Sequence, residues 1–288
     1  MTQLVVHAVT RQALEQFAAR PGHALLLSAP AGTGKTAIAL QLAASLLHIP
    51  EDKLDSHPHF KLITPPAGKG IPIAAIRDII HFTTLRTPAS DGISRVILID
   101  HADAMAVQAQ NALLKTIEEP PAGTVLILTT PSAPALLPTI RSRVQQLRIL
   151  PPDTAAIRTF FQAQGFADGA INKALLMSGG LPGLMHALLA ADTEHPLFAA
   201  TTVARELLQK SSFERLVLAD NLAAQRQLWT DVLFILGQMA AAAIQQNQGD
   251  SAAYPRWQRV LRAVHEAQGQ TASNAQLKLA VLQFVLAL

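Results

Sequence analysis

Five short apolar runs divide the first 150 residues of the chain: "ALLLSAP", "FKLITP", "RVILID", "TVLILTT" and "QQLRIL". Each has the length of a strand, and longer stretches rich in Ala, Leu and Gln separate them. Apolar strands that alternate with helices pair in parallel, because the crossover helices cover both faces of the sheet and leave no solvated side. Residues 1–150 are therefore expected to form an α/β domain on a parallel sheet. The pattern stops at "LPPDTAAI", where Pro151 and Pro152 break the chain and Asp153 offers a helix cap. Beyond it the sequence reads as all-α. A first helical block, 151–192, contains "DTAAIRTFFQAQGF", "ADGAINKALLMSGG" and "LPGLMHALLAAD"; a second, 193–288, is interrupted by the polar stretch "QQNQGDSAAYP". No internal repeat or low-complexity tract interrupts this α/β, α, α order.

A chain of 288 residues, half of them apolar, has room for two or three cores of this kind. Its 23 Lys and Arg nearly balance 20 Asp and Glu, leaving a formal charge of +3, so any nucleic-acid contact must be local or shared with other chains. There is no cysteine, which excludes disulfides and thiolate metal sites and suits a reducing compartment. The start "MTQLVVHAVTRQ" has no basic n-region followed by a long apolar core, so export is not expected. The apolar tail "LKLAVLQFVLAL" contains a lysine and is short of the roughly 20 residues that span a bilayer, so it is read as a buried helix and no membrane is expected.

The first apolar run leads into "SAPAGTGKTAIAL", which opens a helix. Gly32 and Gly34 let the backbone curl so that successive N–H groups point at phosphate oxygens, and the helix N-terminus adds positive charge. In such a loop, which includes Thr33, Lys35 reaches the β- and γ-phosphates and Thr36 offers its hydroxyl to Mg²⁺. In the pattern G-x-x-x-x-G-K-[ST] the first glycine is replaced by Ala29, a small change if that residue keeps a negative φ. A chance glycine-rich turn would explain the loop alone, but it would not explain the strand before it and the acidic strand after it.

That acidic strand ends in "VILIDHAD". Asp100 is placed to hold Mg²⁺ through its water shell, opposite Thr36. His101 stands where a hydrolytic ATPase needs a glutamate; an imidazole there can take a proton, but a histidine at a strand end with no catalytic part is the preferred reading. Thr129 and Thr130 end the neighbouring strand, so either hydroxyl could sense a γ-phosphate. His57 and His59 in "SHPHF" lack the company a metal site needs and are read as the lead-in to a strand. In "ADAMAVQAQNALLKTIEEPP", Met105, Ala109, Ala112, Leu113 and Ile117 form a helical stripe facing the sheet, and Pro120 and Pro121 end the helix. Its other face, with Gln110, Lys115 and Glu118, is open to two readings, solvated surface or subunit contact. Arg141 and Arg143 flank a serine just before the last strand.

Taken in order, "HALLLSAPAGTGKT", "HPHFKLI", "IPIAAIRDII", "RVILIDHADAM", "AQNALLKTIEEPP", "LLPTIRSR" and "GGLPGLMHAL" resemble the delta-prime family of bacterial DNA polymerase III clamp-loader subunits, within the AAA+ ATPases. The resemblance covers about residues 20–190, and "ASNAQLKLAVLQFVLAL" is similar to the family's last collar helix. "NALLKTIEEPP" with "LLPTIRSR" is far more specific than the phosphate loop. The resemblance implies a RecA-like P-loop domain (1–150), a helical lid (151–192) and a helical collar that oligomerises (193–288). It also implies a hetero-pentameric ring with tau/gamma and delta subunits, acting on the sliding clamp and primer-template DNA in the bacterial cytoplasm.

Within such a ring each nucleotide site is completed by the neighbour's Ser-Arg-Cys motif. Here the motif is "SRV": Arg143 matches the arginine finger and Val144 replaces the cysteine. ATP or ADP with Mg²⁺ is the implied cofactor, bound by Gly32, Thr33, Gly34, Lys35, Thr36, Asp100 and Thr130, with Thr36 and Asp100 on the metal. The family's four-cysteine zinc module is missing, only "LLHIPEDKLDSHPHF" occupying its place, so no zinc is expected. Pro182 stands where motor subunits carry an arginine that contacts the γ-phosphate. With His101, this points to a subunit that supplies Arg143 in trans and does little hydrolysis itself. The rival readings are an autonomous, tau/gamma-like motor ATPase with His101 or Glu118 positioning water, and an assembly module with a vestigial loop.

Overall fold

The computed structural model describes residues 4–66, 69–84, 92–246, 253–272 and 276–288. The chain divides into two compact units, Met1–Pro152 and Asp153–Leu288.

In the first unit the elements are α1 (Ala8–Ala19), β1 (Ala24–Ser28), α2 (Lys35–Leu46), β2 (Phe60–Ile63), α3 (Ile73–Thr84), β3 (Arg95–Ile99), α4 (Val107–Glu118), β4 (Thr124–Thr130), α5 (Pro138–Arg141) and β5 (Gln145–Arg148). Every one of the five apolar runs read from the sequence forms a strand. All neighbouring pairs are parallel, in the order β2-β3-β4-β1-β5. Central strands buried on both faces explain the unbroken apolar runs: consecutive side chains enter different cores. Leu25, Leu27, Val96, Leu98, Val125 and Ile127 pack with Ile38, Leu42 and Leu46 of α2 and with Leu14 and Phe17 of α1. Ala24, Leu26, Ile97, Ile99, Leu126 and Leu128 pack on the opposite side with Ile76 and Ile79 of α3 and Leu113 and Ile117 of α4.

The order of strands decides where a site can form. β4 lies between β1 and β3, so the loop after β1 and the residues after β3 meet at the carboxyl ends of the strands, with the end of β4 between them. α1 carries no signal singled out in the sequence, yet Thr10 on its buried face accepts a hydrogen bond from Leu150 N (3.0 Å), which ties it to the end of β5.

The second unit is all-α: α6 (Thr154–Ala163), α7 (Asp168–Ser178), α8 (Pro182–Ala190), α9 (Phe198–Gln209), α10 (Ser212–Ala224), α11 (Arg226–Gln246), α12 (Ala253–Ala272) and α13 (Leu277–Ala287). The polar break predicted within "QQNQGDSAAYP" falls mostly on 247–252, outside the described residues. α11 packs against α7, α9, α10 and α12, so elements on both sides of residue 192 share a core. By length and composition Arg226–Gln245 could cross a bilayer, but it is the central helix of this bundle, with Trp229, Val232, Leu233, Ile235, Leu236 and Ala240 buried among its neighbours. Trp229 meets the Phe284 ring edge-on at 5.3 Å, and its indole N–H donates to Thr271 (3.0 Å). The tail expected as a buried helix is α13, whose Ala280, Val281, Phe284 and Val285 are buried.

Candidate nucleotide-binding site

Both loop glycines adopt the left-handed backbone that their type permits, Gly32 at φ 78° and Gly34 at φ 83°. Ala29 is not among the described non-glycine residues of positive φ, which are His48, His101 and Ala191, so the missing first glycine costs the loop no strain. Ala29 N donates to Thr130 O (3.2 Å), and Thr33 Oγ donates back to Pro30 O (2.8 Å), closing the loop on itself. Gly34 is the N-cap of α2 and supplies no side chain to the first turn, so the helix presents its orphan N–H groups to whatever lies in the loop.

Lys35 opens α2 and is only 4 % exposed. Burial pushes its ammonium below the ordinary lysine value, and the charges of Asp100 and Asp103 partly oppose that. Its ammonium makes no hydrogen bond or ion pair among the described residues. A buried cation of this kind, beside a helix N-terminus and two left-handed glycines, fits a phosphate group.

Thr36 and Asp100 are brought together: the hydroxyl lies 2.9 and 3.1 Å from the two carboxylate oxygens. Thr129 accepts a hydrogen bond from His101 N (3.0 Å) and donates to Asp100 Oδ1, so it orients the carboxylate. Of the two threonines considered for a phosphate contact, Thr129 is thus bound to Asp100, while Thr130 is fully buried and turns onto Ser132, donating to its carbonyl (3.0 Å). A hard-oxygen pair such as Thr36 and Asp100, with Lys35 beside it, suits a magnesium-bound polyphosphate.

His101 has a left-handed backbone (φ 51°, ψ 54°) and leads into a short 3-10 turn, Ala102–Ala104. Its ring is 41 % exposed, with Nε2 3.9 Å from Asp100 Oδ2. Asp103, in the same "DHAD" segment, was not singled out from the sequence; it acts on Lys35 electrostatically and has a buried Oδ1 with no hydrogen-bond partner. Its place three residues after Asp100, across a turn, was the available signal. Pro182 begins α8, in the other unit.

Arg143 follows α5, 41 % exposed. Its Nε lies 2.6 Å from Glu118 Oε1 at the end of α4. Its Nη1 donates to Thr139 O (3.1 Å) and Ser142 Oγ (3.2 Å), and its backbone carbonyl pairs with the His23 ring (3.1 Å). Glu118 was not foreseeable as its partner, since neither periodicity nor spacing links residues on two separate helices. Gln110, read from periodicity as outward-facing, is instead 4 % exposed: its amide donates to Met105 O (3.1 Å) and accepts from Leu137 N (2.9 Å). Between α2 and β2 the chain makes a short 3-10 turn, Glu51–Lys53, and His57 accepts a hydrogen bond from His59 N (3.3 Å). Among the described residues no three His, Cys, Asp or Glu side chains gather around a common point.

Comparison with known proteins bears on the family and the fold. Residues 8–153 match the family model described as DNA polymerase III, delta subunit. DNA polymerase III subunit delta' of Pseudomonas aeruginosa is 38% identical over 181 residues, 57% of this chain and 55% of that protein. The corresponding subunit of Yersinia pestis is 30% identical over 254 residues, 80% of this chain and 74% of its own length. The match thus spans little more than half of the Pseudomonas relative. In fold the chain is similar to a DNA polymerase III gamma subunit-related protein of Thermotoga maritima, with a TM-score of 0.51 at 19% identity over 96% of this chain and 97% of that one.

Proposed function

Because the chain belongs to the delta-prime family of DNA polymerase III subunits, we propose that it serves as the stator of a bacterial clamp loader, lending Arg143 to the ATP site of a neighbouring motor subunit. Its partners are tau/gamma and delta subunits in a hetero-pentameric ring, and through that ring the sliding clamp and primer-template DNA. It works in the cytoplasm. ATP or ADP with Mg²⁺ occupies its own phosphate loop and is turned over slowly or not at all.

The observation that carries this reading is a contrast within one unit. Lys35, Thr36 and Asp100 form a cradle suited to a magnesium nucleotide, which when bound supplies the anionic phosphates that Lys35 and the first turn of α2 neutralise. At the position directly after Asp100, where a hydrolytic ATPase needs its glutamate, stands a half-exposed histidine. Arg143 is instead partly exposed, permanently charged and held by one side of its guanidinium, a form suited to reaching the phosphates of another chain.

The motor reading would need His101 or Glu118 to position water. Glu118 ends α4, roughly 16 Å along the helix from its first residue, and its carboxylate is engaged by Arg143. A vestigial loop would have no reason to keep a buried lysine whose ammonium makes no hydrogen bond or ion pair among the described residues. The deciding experiment is ATP turnover by a loader reconstituted with Arg143→Ala; full activity would refute the stator reading.

A further inference from the structure

We propose that Glu118 is a positioning residue for Arg143, fixing the guanidinium so that Nη2 is the donor presented to a neighbouring subunit's nucleotide. The inference rests on the arginine-finger reading above.

A lone surface arginine samples many rotamers, and ordering it carries an entropic cost. Here that freedom is already restricted on two nitrogens. Glu118 Oε1 holds Nε at 2.6 Å, and Thr139 O and Ser142 Oγ accept from Nη1 at 3.1 and 3.2 Å. Nη2 has no partner among the described residues. Both Nη1 hydrogens and the Nε hydrogen are spoken for, so the plane of the fork is set and the outer amino group remains for a phosphate oxygen. Glu118 is the one charged contact of the three, which makes it the largest single restraint.

The place of Glu118 in α4 supports this. It is the last residue of the helix, followed by Glu119 at the C-cap and then by Pro120 and Pro121. A carboxylate at a helix C-terminus opposes the macrodipole, a cost that nothing within α4 requires. The two prolines stop the helix there and fix the point from which the carboxylate reaches Arg143. Stability is a poor explanation for the pair, since both side chains are more than two-fifths exposed and such pairs contribute little.

The test uses loaders reconstituted with the partner subunits and carrying Glu118→Ala, Glu118→Gln, Arg143→Ala, or Glu118→Ala with Arg143→Ala, assayed for ATP turnover with clamp and primed DNA. Glu118→Ala is expected to lower kcat roughly 10- to 100-fold, the scale of a misaligned catalytic group, with KM for ATP within about twofold of wild type. Glu118→Gln, which keeps the acceptor oxygen and loses the charge, should fall between. In the Arg143→Ala background, Glu118→Ala should change nothing further, because a residue that acts only through Arg143 has nothing left to position. Two results would overturn the inference while leaving the finger intact: a normal or raised kcat in Glu118→Ala, or an equal loss on the Arg143→Ala background. If Arg143→Ala alone leaves turnover unchanged, the finger reading has failed and the inference fails with it.

Discussion

The Thr36 hydroxyl and the Asp100 carboxylate, 64 residues apart in sequence, lie 2.9 and 3.1 Å apart across the ends of two strands. Thr36 sits in the first turn of α2 and Asp100 directly follows β3, so the pair exists because β1 and β3 both flank β4. Thr129 at the end of β4 holds the carboxylate from the other side. Such an arrangement favours a hard cation, and Asp100→Asn keeps the shape while removing the charge. Calorimetry should show wild type binding ATP more tightly with Mg²⁺ than with a chelator. Asp100→Asn should lose that preference by about 10- to 100-fold, the usual cost of disturbing groups that orient a metal. A preserved Mg²⁺ preference would remove Asp100 from the site.

Lys35 is held below its ordinary pKa by burial, so folding with the lysine charged carries a penalty. The unfolded chain keeps that proton up to a higher pH than the folded one. The penalty is therefore fully present below the folded pKa and fades as pH rises toward the unfolded value near 10.5. Lys35→Met should abolish nucleotide binding and yet raise the stability of the nucleotide-free protein by roughly 0.5–2 kcal/mol, as is common when a functional site is relaxed. The gain, read from urea unfolding at a series of pH values, should shrink as pH climbs toward 10.5. A destabilised variant at neutral pH would contradict this.

What the sequence disclosed and what it withheld follow from distance along the chain. The strands were legible because burial on both faces leaves a local mark, an unbroken apolar run such as "RVILI". The phosphate loop was legible for the same reason: Gly32, Gly34 and Lys35 carry their conformational requirements within a few residues. Gln110 was misjudged because helical periodicity assigns faces by hydrophobicity, and a buried amide that bonds two backbone groups reads as a surface residue. The pairing of Glu118 with Arg143 depends on where the end of α4 meets the turn after α5, a matter of tertiary packing that neither local sequence encodes. The resemblance drew attention to Arg143; only the fold places Glu118 against it.

Gln110 joins three parts of the first unit, since it stands in α4, donates to Met105 O before that helix and accepts from Leu137 N ahead of α5. Replacing it with leucine roughly keeps the volume and leaves a buried carbonyl and a part-buried N–H without partners. Each such orphan costs about 1–3 kcal/mol. Gln110→Leu should therefore lower unfolding free energy by roughly 2–5 kcal/mol, seen as a drop in the urea midpoint with an unchanged slope. A shift below about 0.5 kcal/mol would mean that water takes over both bonds.

Arg143→Ala in a reconstituted loader is expected to depress ATP turnover on the scale of arginine fingers, about 10³- to 10⁵-fold per site that uses one, while ring assembly measured by sedimentation stays intact. The total loss will be smaller if other sites in the ring keep their own fingers, so single-site turnover is the quantity to compare. Arg143→Lys is the sharper control. Lysine keeps the charge but has neither the Nε that Glu118 grips nor the planar fork that Thr139 and Ser142 align. A finger that works by geometry should be left nearly as impaired by lysine as by alanine, whereas one that works by charge alone should be substantially restored. Assembly gives the opposite reading: if Arg143→Ala breaks the ring, the residue acts as an interface anchor and the loss of turnover is secondary.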